Sequence, residues 1–212
     1  MDLLHFLVDF VLHLDTHLAD IIARYGTGTY LILFLIVFCE TGLVVTPFLP
    51  GDSLLFAAGT FAGLGALNPW VLCLLLMAAA LCGDNVNYWV GRYIGPRAFS
   101  GAIPWLRQDY LARTEAFYDR HGGKTVIIAR FIPIIRTFAP FVAGVGRMRY
   151  ARFLSFSVGG AALWVGLFIF GGYLFGNIPV VRRNFSAVIV AIILISVLPV
   201  VVEAVKARRR AG

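Results

Sequence analysis

Arg130-Phe-Ile-Pro-Ile-Ile-Arg-Thr-Phe-Ala-Pro-Phe-Val-Ala-Gly144 is almost wholly apolar, yet it carries Arg130, Arg136, Pro133 and Pro140. A surface loop would not be so hydrophobic. An ordinary helix would not hold two prolines, since each removes a backbone donor and clashes with the preceding turn. A crossing helix needs about 20 apolar residues for a hydrocarbon core of about 30 Å. Arg136 divides residues 125–146 into two arms of roughly half that length. The economical reading is a re-entrant hairpin with Pro133 and Pro140 at its turn. Non-helical backbone is tolerated at such depth only where protein or a wet cavity surrounds it.

The rest of the chain supports a membrane setting. Of 212 residues, 60% are hydrophobic and 14% charged, and the mean hydropathy is +0.86. A soluble domain carries about a quarter charged residues. The length suits a single membrane domain over 1–212, with no second soluble module. The net charge of +7 implies no nucleic-acid partner, because basic residues outside spans report orientation and anionic headgroups. Cys39, Cys73 and Cys82 lie in apolar segments without paired spacing, which argues against a disulfide framework, a metal site or any cofactor. The N-terminus lacks the basic flank and cleavage site of a signal peptide.

Residues 1–25 place Asp2, His5, Asp9, His13, Thr16, Asp20 and Arg24 on one helical stripe. This is an amphipathic helix that either lies in the interface or spans with its stripe turned inward. His13 and His17 are one turn apart, a spacing that wet-face histidines share with metal ligands. Residues 30–65 are apolar but broken at Thr46–Asp52, where Pro47, Pro50 and Gly51 sit. A single helix of that length would run roughly 50 Å, so these residues read as a first re-entrant hairpin. Asn68-Pro69 then supplies a helix cap and a first-turn proline, opening a transmembrane helix over 69–94. Residues 96–124 form a wet cytoplasmic loop and surface helix, and His121 serves as a C-terminal cap there. Residues 153–176 and 185–205 read as two further spans.

The halves resemble each other weakly. Phe48-Leu-Pro50 matches Phe131-Ile-Pro133, and the Ala-Gly pair at 58–59 matches that at 143–144. Trp89-Val-Gly91 matches Trp164-Val-Gly166, and the glycine pair 91/95 matches 172/176. The expected architecture is an all-α membrane protein in a weak inverted repeat of hairpin plus span. Basic residues cluster at 97–124, at 147–152 and at 206–210. All three clusters are cytoplasmic only if residues 125–146 enter and leave on one side. The C-terminus is then cytoplasmic, and Arg182 and Arg183 are left outside.

Glu40, Asp52, Asp84, Arg92, Arg130 and Arg136 are ionisable residues in or beside apolar segments. Asn87 shares a helical face with Asp84. Each charge costs about 3 kcal/mol at the bilayer centre on insertion scales, so a shared interior is expected. The plainer reading makes Glu40 and Asp52 fixed struts for Arg130 and Arg136. Buried pairs add little net stability, however, and apolar replacements often serve as well. Arginine is always charged and its planar fork suits phosphate oxygens. A carboxylate in a low-dielectric place holds a proton more readily than in water. Glu40 and Asp52 are therefore the candidates for proton coupling and ion pairing, and Arg130 and Arg136 for phosphate binding. Asp84, Asn87 and Arg92 are secondary candidates. No nucleophile–base pair points to an enzyme. The spaced glycines, as at 59/63, mark close helix packing.

Cys39-Glu-Thr-Gly-Leu-Val-Val-Thr-Pro-Phe-Leu-Pro-Gly-Asp-Ser53 and Gly83-Asp-Asn-Val-Asn-Tyr88 resemble the DedA family of bacterial inner-membrane proteins. So do His121-Gly-Gly-Lys-Thr-Val-Ile-Ile-Ala-Arg-Phe-Ile-Pro133 and Arg136-Thr-Phe-Ala-Pro-Phe-Val-Ala-Gly-Val-Gly146. The family is also called the VTT or SNARE-associated domain family. The resemblance implies two opposed re-entrant hairpins and movement of lipid between leaflets. It implies undecaprenyl phosphate as one substrate, with essential acids at Glu40 and Asp52 and essential arginines at Arg130 and Arg136. A broad phospholipid scramblase, a proton-coupled antiporter for small cations or drugs, and a non-transporting scaffold are the other readings. The oligomeric state is open, a homodimer included.

Overall fold

The computed structural model describes residues 14–42, 51–97, 124–192 and 194. The calls on residues 1–13, on Pro47 and Pro50, on most of the 96–124 loop and on the end of the 185–205 span lie outside these residues. Among the described residues all regular structure is helical. The helices are α1 (Leu14–Tyr25), α2 (Thr29–Gly42), α3 (Gly51–Gly63), α4 (Pro69–Arg97), α5 (Lys124–Ala129), α6 (Pro133–Val145), α7 (Tyr150–Phe175) and α8 (Pro179–Arg183).

Among the described residues, three runs are long and apolar enough to cross a membrane: Thr16–Gly42, Pro69–Ile94 and Tyr150–Phe175. The second and third overlap the runs read as spans at 69–94 and 153–176. The first cuts across the boundary drawn near residue 30. Only the short 3-10 turn Gly26–Gly28 separates α1 from α2, with Gly26 in the left-handed region at φ +52. Leu31, Trp70, Leu74, Leu163 and Leu174 are all more than half exposed. In water such a surface would aggregate; in a bilayer it is the face toward lipid.

The chain forms two compact units. The first contains Met1–Phe34, Pro50–Leu76 and Val165–Gly212, and the second Leu35–Leu49 and Met77–Trp164. In the first, Leu14, Leu18, Leu33, Leu55, Leu72 and Ile169 are buried. Asn68 caps α4 as its sequence suggests: its Oδ1 accepts from the amides of Trp70 at 3.0 Å and Val71 at 3.1 Å. The core of the second unit is Tyr88, Val126, Ala143, Met148 and Phe153, with the Tyr88 and Phe153 rings stacked at 4.4 Å.

The same helix crossing occurs once in each unit. In the first, Gly59 of α3 lies on the Ile169 carbonyl of α7, and Gly172 of α7 lies on the Phe56 carbonyl of α3. In the second, Gly144 of α6 lies on the Tyr88 carbonyl of α4, and Gly91 of α4 lies on the Phe141 carbonyl of α6. Each glycine thus meets the residue three places before the opposing glycine. A Cβ at any of the four would drive into backbone, so side-chain-free positions are what let these helices touch.

In residues 125–146 the chain turns earlier than the prolines suggest. α5 ends at Ala129 and α6 begins at Pro133, so Arg130, Phe131 and Ile132 make the turn. Pro133 is the first helical residue, where its missing N–H costs nothing. Pro140, expected at the turn, lies inside α6. It denies the Arg136 carbonyl its usual helical donor, and membrane helices tolerate this where neighbours compensate. α6 ends in a Schellman motif: Met148 N–H bonds the Ala143 carbonyl at 3.0 Å, and Arg147 N–H the Gly144 carbonyl at 3.1 Å. The left-handed position that this motif demands is filled by Arg147, at φ +49.

Candidate functional site

The second unit gathers most of the charges singled out from sequence. Glu40 stands near the C-terminal end of α2, Asp84 on α4, Arg130 at the α5–α6 turn and Arg136 in the first turn of α6. Their exposures are 0%, 3%, 5% and 6%. Arg136 Nη2 donates to Glu40 Oε1. Arg130 Nη2 donates to Asp84 Oδ2, and the Ser157 hydroxyl donates to the same oxygen at 2.5 Å. The two pairs are formally neutral together, which is what allows four charges to be buried in one unit.

The carboxylate on Arg130 comes from a residue ranked second in the sequence. Asp84, a secondary candidate, is the partner of Arg130. Asp52 is buried in the first turn of α3, in the other unit. A carboxylate there complements the positive end of the helix dipole. Gly51, expected in a hairpin turn, is the first residue of that helix.

Asn87 and Arg92 tie the scaffold together. Asn87 Nδ2 donates to the Thr41 carbonyl at 2.6 Å and the Thr137 carbonyl at 3.3 Å. Thr41 is in the last turn of α2, where carbonyls lack helical donors, and Thr137 follows Arg136. One amide thus fixes the helix ends that carry Glu40 and Arg136. Gly83 makes room for this contact, since Thr41 Oγ1 and the Gly42 amide occupy the space of a Cβ. Arg92 Nη1 donates to Tyr88 Oη at 3.1 Å and to the Met148 carbonyl at 3.5 Å, and Tyr88 Oη donates to that carbonyl at 2.5 Å.

Sequence reasoning missed Ser157 and Trp164. Trp164 is 1% exposed, and its ring centroid lies 5.1 Å from Arg136 Cζ and 5.8 Å from Arg130 Cζ. Its signal was a tryptophan in the middle of an apolar run, where membrane tryptophans favour the interfacial ends. Ser157 carried no signal, because a serine within a span usually bonds its own helix.

Arg130 also has an unmet donor. Its buried Nη1 has no hydrogen-bond partner among the described residues, and a buried donor left so costs about 1–3 kcal/mol. α5 and α6 line an apolar cavity of about 330 Å³ with Ile128, Ile132, Ile135, Phe138 and Val142. Among the described residues no three His, Cys, Asp or Glu side chains gather as metal ligands, and His13 lies outside them. No disulfide joins Cys39, Cys73 or Cys82.

The comparisons with known proteins bear on the family. The VTT domain model matches residues 49–174. The chain is 55% identical to the protein DedA of Escherichia coli K12, over 100% of this chain and 98% of that one. It is 41% identical to an uncharacterized membrane protein of Mycobacterium leprae, over 80% of this chain and 76% of the relative. It is 38% identical to the Escherichia coli inner membrane protein YqjA, over 71% of this chain and 69% of the relative. No solved structure matches. With apolar helices long enough to cross a bilayer and a family match over more than half its length, the chain is a membrane protein belonging to the DedA family of VTT-domain proteins.

Proposed function

We propose that this protein is a lipid transporter of the bacterial inner membrane that moves undecaprenyl phosphate between leaflets. Arg130 and Arg136 bind the phosphate, and Glu40 and Asp52 exchange protons as it comes and goes. The observation that carries this reading is the burial of both arginines, with a donor of Arg130 left open. A guanidinium has five N–H groups in a planar fork, so Arg130 can hold Asp84 and still offer Nη1 to a phosphate oxygen. The apolar cavity along α5 and α6 has the chemistry for a hydrocarbon tail whose head lies at the turn.

In this reading residues 125–146 and residues 30–65 are re-entrant hairpins that open to opposite sides. The three-residue turn before Pro133 supports the first, since neither α5 nor α6 alone reaches across a hydrocarbon core. The glycine crossing found once in each unit supports an inverted repeat, as the matched pairs 58–59/143–144 and 91/172 supply it. The C-terminus is cytoplasmic, and the substrate is met from within the bilayer.

The test is transport by the purified chain in liposomes, with labelled undecaprenyl phosphate, phosphatidylethanolamine and a small cation offered separately. Undecaprenyl phosphate should move, and a proton gradient should change its rate. Equal movement of phosphatidylethanolamine would make the protein a broad scramblase, and movement of the cation alone an antiporter. If none moves, the transport reading fails.

A further inference from the structure

Arg130 and Arg136 have separate carboxylate partners, but both guanidiniums lie against the ring of Trp164. We propose that Trp164 is a positioning residue of the anion site, a platform that holds both guanidiniums in place while a phosphate monoester displaces Glu40 from Arg136 and takes the open Nη1 of Arg130. This inference rests on the phosphate reading of the two arginines.

The argument is one of competition. An anion arriving at Arg136 competes with Glu40 for its N–H groups, and one drawn to the open Nη1 of Arg130 pulls that guanidinium against its bond to Asp84. A guanidinium that gives up its carboxylate in an apolar interior would lose its counter-charge at that moment. The quadrupole of an indole attracts a cation without using its hydrogen bonds. That attraction therefore persists when the N–H groups change partners. Gly160 lies one helical turn before Trp164 on α7. A Cβ there would stand 3.5 Å from Arg130 Nε and 3.4 Å from the Ile127 Cα. The α7 backbone thus comes up to the Arg130 side chain, and the indole completes the wall.

The bland alternative is that Trp164 fills space. A filler and a platform separate when the ring face is kept but reduced, as in Trp164→Phe, and when it is lost while apolar bulk remains, as in Trp164→Leu. They also separate in fluorescence, because an indole beside two guanidiniums senses their rearrangement.

The experiment uses the full chain in dodecyl maltoside micelles with Trp70, Trp89 and Trp105 each changed to Phe, so that Trp164 is the sole tryptophan. Dodecyl phosphate is the probe, and its binding is followed in parallel by calorimetry and by Trp164 emission. The expected result is an emission change with the same midpoint as the calorimetric binding. In the parent chain, Trp164→Phe should bind within about threefold of wild type and Trp164→Leu about tenfold or more weakly. Calorimetric binding with silent Trp164 emission would overturn the platform while leaving the arginine site intact, as would wild-type affinity in Trp164→Leu. Should Trp164→Leu not fold, the emission measurement decides alone. Absence of calorimetric binding to the wild-type chain would remove the phosphate reading itself, and the role of Trp164 with it.

Discussion

Arg136 donates from Nη2 to Oε1 of Glu40, a residue 96 positions earlier in the chain, and both side chains are buried. The pair joins the end of one apolar helix to the first turn of another that begins after a break. A single such bond constrains the second unit more than any one apolar contact, because neither partner has water to fall back on.

Breaking this pair from one side should therefore cost more than removing it. Glu40→Gln or Arg136→Gln breaks a buried ion pair from one side, at about 3–5 kcal/mol. The double variant Glu40→Gln/Arg136→Gln should recover much of that loss in thermal unfolding of the detergent-solubilised protein. It should not recover lipid transport. Additive destabilisation would show that the two residues do not depend on one another.

Arg130→Lys keeps the charge and discards the fork. A lysine ammonium is a point charge that cannot hold Asp84 in plane and present a second oriented N–H to phosphate. Because the charge is kept, the loss of stability should stay below the about 3–5 kcal/mol of removing one partner of a buried pair, while transport per folded molecule falls about tenfold or more. Full transport by the lysine variant would mean that charge alone, and not geometry, is used at Arg130.

Arg147 occupies a left-handed position that glycine would fill at no steric cost. The position carries a backbone cost of about 1 kcal/mol. Arg147→Gly should raise the unfolding midpoint slightly and Arg147→Val should lower it, with transport unchanged in both. A drop in stability for the glycine variant would count against the Schellman assignment.

The hairpin proposed over 125–146 makes a topological prediction. Single cysteines replacing Lys124 and Arg149, in a chain with Cys39, Cys73 and Cys82 changed to Ala, should be labelled by an impermeant thiol reagent from the same side of the membrane. A cysteine replacing Arg182 should be labelled from the other side. Labelling of positions 124 and 149 from opposite sides would turn the hairpin into a span and remove the turn from the bilayer.

The site was legible in sequence to different depths. Glu40, Arg130 and Arg136 stood out because a charge in an apolar run must be explained wherever it lies. Asp84 stood out less, since it falls in the polar second half of a span. Trp164 and Ser157 belonged to a run with no charge, where any face could be buried. Asn87 shared the face of Asp84, but its carbonyl acceptors on α2 and α6 are 46 and 50 positions away. Pro140 misled, because a membrane helix tolerates an internal proline where neighbouring groups satisfy the backbone it frees.

From sequence alone came the membrane setting, the helical content, the capped start of α4 at Asn68 and the burial of the charges. Apolar run length, caps and the cost of a charge in hydrocarbon are local quantities, set by residues within a few turns of each other. Tertiary structure alone decided that Arg130 goes to Asp84 and Arg136 to Glu40, and that both guanidiniums share the ring of Trp164. Those choices depend on how helices far apart in the chain rotate and cross, and glycine contacts with opposing backbone set that rotation without any trace in hydrophobic period.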